Sequence, residues 1–234
     1  MRKSSRRKKT PINVPERETI LPKKVRPEVK KVIKTSTFSI SWDPMYSTRK
    51  VEDELRSELI DLYFKLQKKP AETIERLKEI ITENPDLPMA YNFLYTAYLA
   101  EDEKQNAMDI IRKAKERFPE FVFGKLASAE EALQAGNFQE IPHILGNITK
   151  FRDINPSRDT FHIVEALNFA YVMGRYCVEN KESEKAQKYI EDMRQIDPKS
   201  HFIKKLESHF NKVNKVGIFK RALNRFKRNK KDSN

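Results

Sequence analysis

Tyr91, Leu94 and Tyr98, then Ala107, Ile111 and Ala114, lie three or four residues apart in two blocks, with the polar run Glu101-Asp102-Glu103-Lys104 between them. That spacing puts each block's apolar side chains on one stripe, and predicts two amphipathic helices joined by a tight turn. The pattern recurs. Asn84-Pro85, Phe118-Pro119, Asn155-Pro156 and Asp197-Pro198 fall 34, 37 and 42 residues apart, each behind a helical pattern. Proline suits that position because it has no amide donor and its ring blocks helix continuation. Upstream, Thr37-Phe38-Ser39-Ile40-Ser41-Trp42 alternates at period two before Asp43-Pro44, so residues 37–50 are expected to be extended, either docked on the domain or offered to a partner. Downstream, Phe202, Ile203, Leu206, Phe210 and Val213 predict a capping helix.

The unit from Pro88 to about Phe121 resembles the tetratricopeptide repeat. Tyr91, Leu94 and Tyr98 match that family's first-helix positions, and Ala107, Ile111, Ala114 and Pro119 its second-helix positions. Tyr95 departs from the pattern, standing where the family has a small residue. A following unit reads Leu126 and Ala129, then the turn Gly136-Asn137-Phe138-Gln139-Glu140-Ile141, then Leu145 and Ile148. Another carries Met173, Gly174, Ala186, Ile190 and Met193, with a first helix expected from about Thr160 to Val178. A unit before Pro85 keeps Ile60, Phe64, Leu77 and Ile80, with Thr73 in the alanine position. The resemblance implies an all-α fold over residues 51–211, with about four helix-turn-helix hairpins stacked as a right-handed α-solenoid and closed by a capping helix. A lone hairpin cannot bury its apolar face, so such hairpins share a continuous core with their neighbours.

In this family the first helices line the concave surface. By resemblance, the partner-binding groove would comprise Met89, Asn92, Thr96 and Leu99, then Phe123, Leu126 and Glu130, then Asn168, Tyr171 and Arg175, with Leu55, Glu58, Leu62 and Leu133 beside them. Such a mixture of apolar and amide side chains suits an extended peptide or a helix of a partner. Relatives that grip a C-terminal carboxylate use a lysine where Glu58 stands, so that clamp is not expected.

Composition narrows the function classes. Five glycines argue against a Rossmann sheet or a phosphate-cradling loop. The single Cys177 excludes an internal disulfide and suits a reducing compartment, and an interior position makes it a small buried hydrophobe. The net charge of +13 is unevenly spread. Residues 1–50 hold 15 Lys/Arg against 4 Asp/Glu, and residues 211–234 hold 9 against 1. The centre is left mildly acidic. Residues 1–36, basic and studded with prolines, read as a disordered tail. Residues 212–234 read as a basic amphipathic helix and tail, with Phe219, Ala222, Leu223 and Phe226 on one stripe. Arg6, Arg7, Lys8 and Lys9, with Lys220, Arg221, Arg225, Lys227 and Arg228, are candidate contacts for an anionic partner, whether nucleic acid or a membrane surface.

No apolar stretch of signal-peptide length follows the first charges, and no 18-residue apolar run occurs, so a cytoplasmic location is expected. The histidines, His143, His162, His201 and His209, show no metal-ligand spacing. His162 and Cys177 are about 22 Å apart along one helix at 1.5 Å per residue, too far for a dyad. The expectation is a non-enzymatic protein-interaction adaptor without cofactor or small-molecule substrate. A chaperone for a secreted or assembling partner is one specialised form. The competing class is a nucleic-acid- or ribosome-associated protein bound through its basic tails.

Overall fold

The computed structural model describes residues 32–35, 37–45, 51–66 and 68–214. Helices α1 (Asp53–Leu66), α2 (Ala71–Glu83), α3 (Pro88–Ala100), α4 (Lys104–Arg117), α5 (Val122–Ala135), α6 (Ile141–Ile144), α7 (Ile163–Glu179) and α8 (Ser183–Ile196) follow in order, and residues 201–214 form α9. Each of the main helices packs on its chain neighbours, α3 on α2 and α4, and α7 on α5 and α8. The fold is all-α in class, built of hairpins stacked one on the next.

Three of the turns within hairpins share one geometry. Asp102, Gly136 and Lys181 adopt positive φ of 63°, 79° and 63°. The following amide then reaches back five residues, from Glu103 to Tyr98 O, Asn137 to Ala132 O and Glu182 to Cys177 O, at 2.8–2.9 Å. This is the left-handed cap that satisfies the last carbonyls of a helix. Small residues sit where helices approach: Ala97, Ala107, Ala114, Ala129 and Ala186 are fully buried. At Gly174 a Cβ would lie 2.4 Å from Leu206 Cδ2, so a side chain there would displace Leu206 from its seat on α7. There α9 buries Phe202, Ile203 and Leu206, and its polar side is tied down by Arg194 to Glu207 and by His209 Nε2 to Glu179 Oε1 at 2.6 Å.

Two expectations about the helices need correction. The third hairpin has no full second helix. Pro142 stands in the first turn of α6, but Gly146 (φ 84°) and Asn147 (φ 58°) end it after four residues. Leu145 still reaches the core, joined by Ile154 from a 3-10 turn at Phe151–Ile154. The next first helix starts at Ile163 instead of Thr160, because Thr160–His162 forms strand β3.

That strand belongs to a small sheet, in which β1 (Val32–Lys34) pairs antiparallel with β2 (Ser39–Ser41) and β2 pairs parallel with β3. The extended segment therefore docks on the domain, Ile40 opposite Phe161, and Ile40, Pro44 and Met45 are buried. Residues 32–34 lie inside the stretch read as a disordered tail. They form a strand because Thr35 reverses the chain, its amide donating to Phe38 O at 2.8 Å. The remainder of that tail, most of the C-terminal segment, and all nine basic residues proposed for anionic contacts, Arg6, Arg7, Lys8, Lys9, Lys220, Arg221, Arg225, Lys227 and Arg228, lie outside the described residues.

Candidate functional site

Helical spacing brings three first helices to a common cleft. Met89, Asn92, Phe93 and Thr96 of α3 face it at intervals of three and four, as do Phe123, Ala127 and Glu130 of α5 and Val164 and Asn168 of α7. Tyr63, Tyr95, Pro44 and His162 complete the lining. The cleft is narrow, about 40 Å³. Since one water needs about 10–15 Å³, it has room for the head of a side chain and not for a strand of backbone.

Six of the ten groove positions expected from the sequence meet here: Met89, Asn92, Thr96, Phe123, Glu130 and Asn168. The other four do not. Leu126 is three residues from Phe123 and turns away into the core beside Val122 and Phe169, fully buried. Leu99 stands at the end of α3, packed on the core beyond the cleft. Tyr171 and Arg175 continue the α7 stripe, but α9 covers that end: the Tyr171 ring lies 5.5 Å from that of Phe202, and Arg175 Nη1 donates to Tyr171 Oη at 3.1 Å. Of their expected neighbours, Leu62 is buried, and Glu58 accepts from Arg76 Nε and Nη2 at 2.6 and 3.1 Å.

The cleft holds two acceptors with no partner of their own. Asn168 is buried and its Oδ1 receives no hydrogen bond. Glu130 makes no ion pair or hydrogen bond among the described residues. Burial pushes its carboxyl up to about 7, against a smaller lowering by Lys205 of α9, which acts through space without pairing. Tyr95, beside it, is raised chiefly by burial and then by Glu130. An acidic group held this way is uncomfortable when charged, and a cation in the cleft would relieve it.

His162 sets the cleft's inner edge and caps α7. Its Nδ1 accepts from the Val164 amide at 3.3 Å, while its own amide donates to Glu165 Oε2 at 2.8 Å, forming a capping box. Burial drives its pKa down to about 4 despite a hydrogen bond to the Trp42 backbone. The imidazole is thus a neutral structural cap at pH 7. Glu165, fully buried, is gripped by Arg158 through Nη1–Oε1 and Nη2–Oε2 contacts of 3.0 and 2.9 Å. Arg158 also donates to Thr160 O and stacks 4.4 Å over Phe161, which locks β3 to the start of α7.

Cys177 is buried, its thiol pushed up to about 11 chiefly by burial. His143 is exposed, His201 stacks on Phe202 and His209 pairs with Glu179, so the four histidines occupy four separate places. Among the described residues no group of three or more His, Cys, Asp or Glu could hold a metal, and no helix is long and apolar enough to cross a membrane.

Several lining residues were missed from sequence. Ala127 falls on the Phe123–Glu130 stripe and could have been found by period. Phe93 and Tyr95 were masked by the core pattern of α3, while His162 enters from β3 and Pro44 from the turn after β2, which leave no helical signal. A second, open recess of about 770 Å³ lies between the sheet and α7–α8, floored by Phe38, Phe169 and Tyr189, with Lys150, Lys185 and Lys188 at its rim. Lys185 is bound to Glu182 at 3.1 Å. No protein-family model, curated protein or solved structure matches this chain.

Proposed function

We propose that this chain is a non-enzymatic adaptor of the tetratricopeptide type, which binds a segment of a partner protein across its first helices and anchors it in the cleft. The observation that carries the reading is the convergence of Asn92, Thr96, Glu130 and Asn168 from three successive first helices on one cleft whose buried Asn168 Oδ1 is left unpartnered. An unpaired buried acceptor costs about 1–3 kcal/mol, which a bound donor would recover. A chaperone that holds one segment of an assembling protein is a special case of this function. The reading places the protein in the cytoplasm. No cofactor enters it.

Thr96→Arg in the full-length chain is the test. Thr96 is half-buried at the cleft, and its hydroxyl spends its hydrogen bond on Asn92 O at 2.8 Å, so an arginine there would block the cleft while sparing the core. Proteins recovered from native cells by the wild type are expected to be lost with the variant, at unchanged circular dichroism. Recovery unaffected by Thr96→Arg counts against the reading. The uneven charge, with basic ends on a mildly acidic centre, favours one second reading, a nucleic-acid-associated protein bound through Arg6–Lys9 and Lys220–Arg228. In that case recovery would be abolished by nuclease and insensitive to Thr96→Arg.

A further inference from the structure

We infer that the cleft receives a basic side chain, lysine or arginine, of the bound segment, with Glu130 and Asn168 Oδ1 as its acceptors and aromatic rings as its walls. The inference rests on the adaptor reading and specifies what the cleft selects. Its basis is the chemistry of the lining. Two acceptors of the lining stand without partners, the Glu130 carboxyl from α5 and the Asn168 oxygen from α7. A charged head with several N–H donors satisfies both at once. A hydroxyl has one donor.

The walls fit the same guest. Tyr63, Phe93, Tyr95 and Phe123 line the cleft, with Tyr63 5.3 Å from Phe93, and His162 6.2 Å from Phe123 and 6.5 Å from Tyr63. Aromatic faces attract a desolvated cation. The alkyl stem of lysine or arginine would lie along Met89, Ala127 and Val164. No lysine or arginine lines the cleft. Around Glu130, α3 contributes Tyr95, α7 contributes Asn168 with the neutral His162 at its start, and α9 contributes Lys205, which does not pair with it. The place of a counter-ion is therefore open.

The guest should also make binding pH-dependent. With its carboxyl at about 7, Glu130 is mostly protonated at pH 6 and mostly ionised at pH 8, so a cation should bind about ten-fold more weakly at pH 6. The probes are two blocked pentapeptides, one with a central arginine flanked by glycines and the other with neutral citrulline in its place. Their binding is followed by amide chemical shifts of the full-length protein. Supporting results are shifts at Thr96, Ala127 and Asn168 for the arginine peptide only, a ten-fold loss from pH 8 to pH 6, and removal of that pH dependence by Glu130→Gln. Equal binding of the citrulline peptide, or arginine binding indifferent to Glu130→Gln, overturns the inference while leaving a peptide cleft in place. Absence of cleft shifts with either peptide also overturns it. The adaptor reading is then decided separately by the Thr96→Arg recovery.

Discussion

Replacing Arg158 by Met is expected to destabilise the protein by about 3–5 kcal/mol, the usual cost of stranding one half of a buried ion pair. Glu165 has no exposed surface, and its two oxygens are held by the Arg158 fork. Without that fork its charge loses its counter-ion, although the His162 amide still donates to Oε2. The same substitution frees the Thr160 carbonyl and uncovers Phe161, so the loss extends to the sheet. Urea unfolding of the full-length chain measures it, as a lower midpoint at similar slope. The double change Arg158→Met with Glu165→Leu should restore most of the loss, because the pair replaced by apolar groups leaves no stranded charge. A single-variant cost below about 1 kcal/mol would mean that the junction of β3 and α7 is not built as described.

Ile40→Ala is expected to cost about 2–5 kcal/mol, the range for truncating a buried aliphatic side chain. Ile40 is 2% exposed, stands opposite Phe161 in the parallel pair, and joins the larger core cluster. Phe38 adds an edge contact to Phe161 at 5.7 Å between ring centres. The same denaturation experiment decides whether residues 37–45 belong to the folded domain in solution. A free segment waiting for a partner would give no change in stability.

Local pattern carried much of this architecture. Stripes such as Tyr91, Leu94 and Tyr98, with prolines just past Asn84, Phe118 and Asp197, mark helices whose limits follow from capping and from the lost amide. The shared reversal at Asp102, Gly136 and Lys181 was less visible, because only Gly136 signals a positive φ by residue type. The parallel pairing of β2 with β3 was not legible at all. It joins segments about 120 residues apart, and three-residue strands such as Thr160–His162 carry too little alternation to be separated from the start of a helix.

In the cleft, the period found Phe123 and Glu130 but could not decide Leu126. One face of α5 meets the cleft and the adjoining face meets the core, and only the packing against Val122, Ile141 and Phe169 separates them. Tyr171 and Arg175 lie outside the cleft for a different reason. Their stripe is right, but the cap formed by Phe202 and Leu206 occupies the far end of α7. Asn168 could be named from sequence, whereas its unpartnered oxygen is a property of the folded packing alone.

The central claim, that a partner segment lies across α3, α5 and α7 with one side chain anchored in their cleft, is tested most directly by photo-crosslinking in native cells. A benzophenone side chain is introduced at Glu131, exposed on α5 next to Glu130 and close enough to act on Tyr95 of the cleft wall, or at Glu116, exposed on α4 and absent from its lining. The account predicts a discrete protein adduct from position 131 that is weakened by Glu130→Gln and absent from position 116. Adducts of equal yield from both positions, or from position 116 alone, would contradict it.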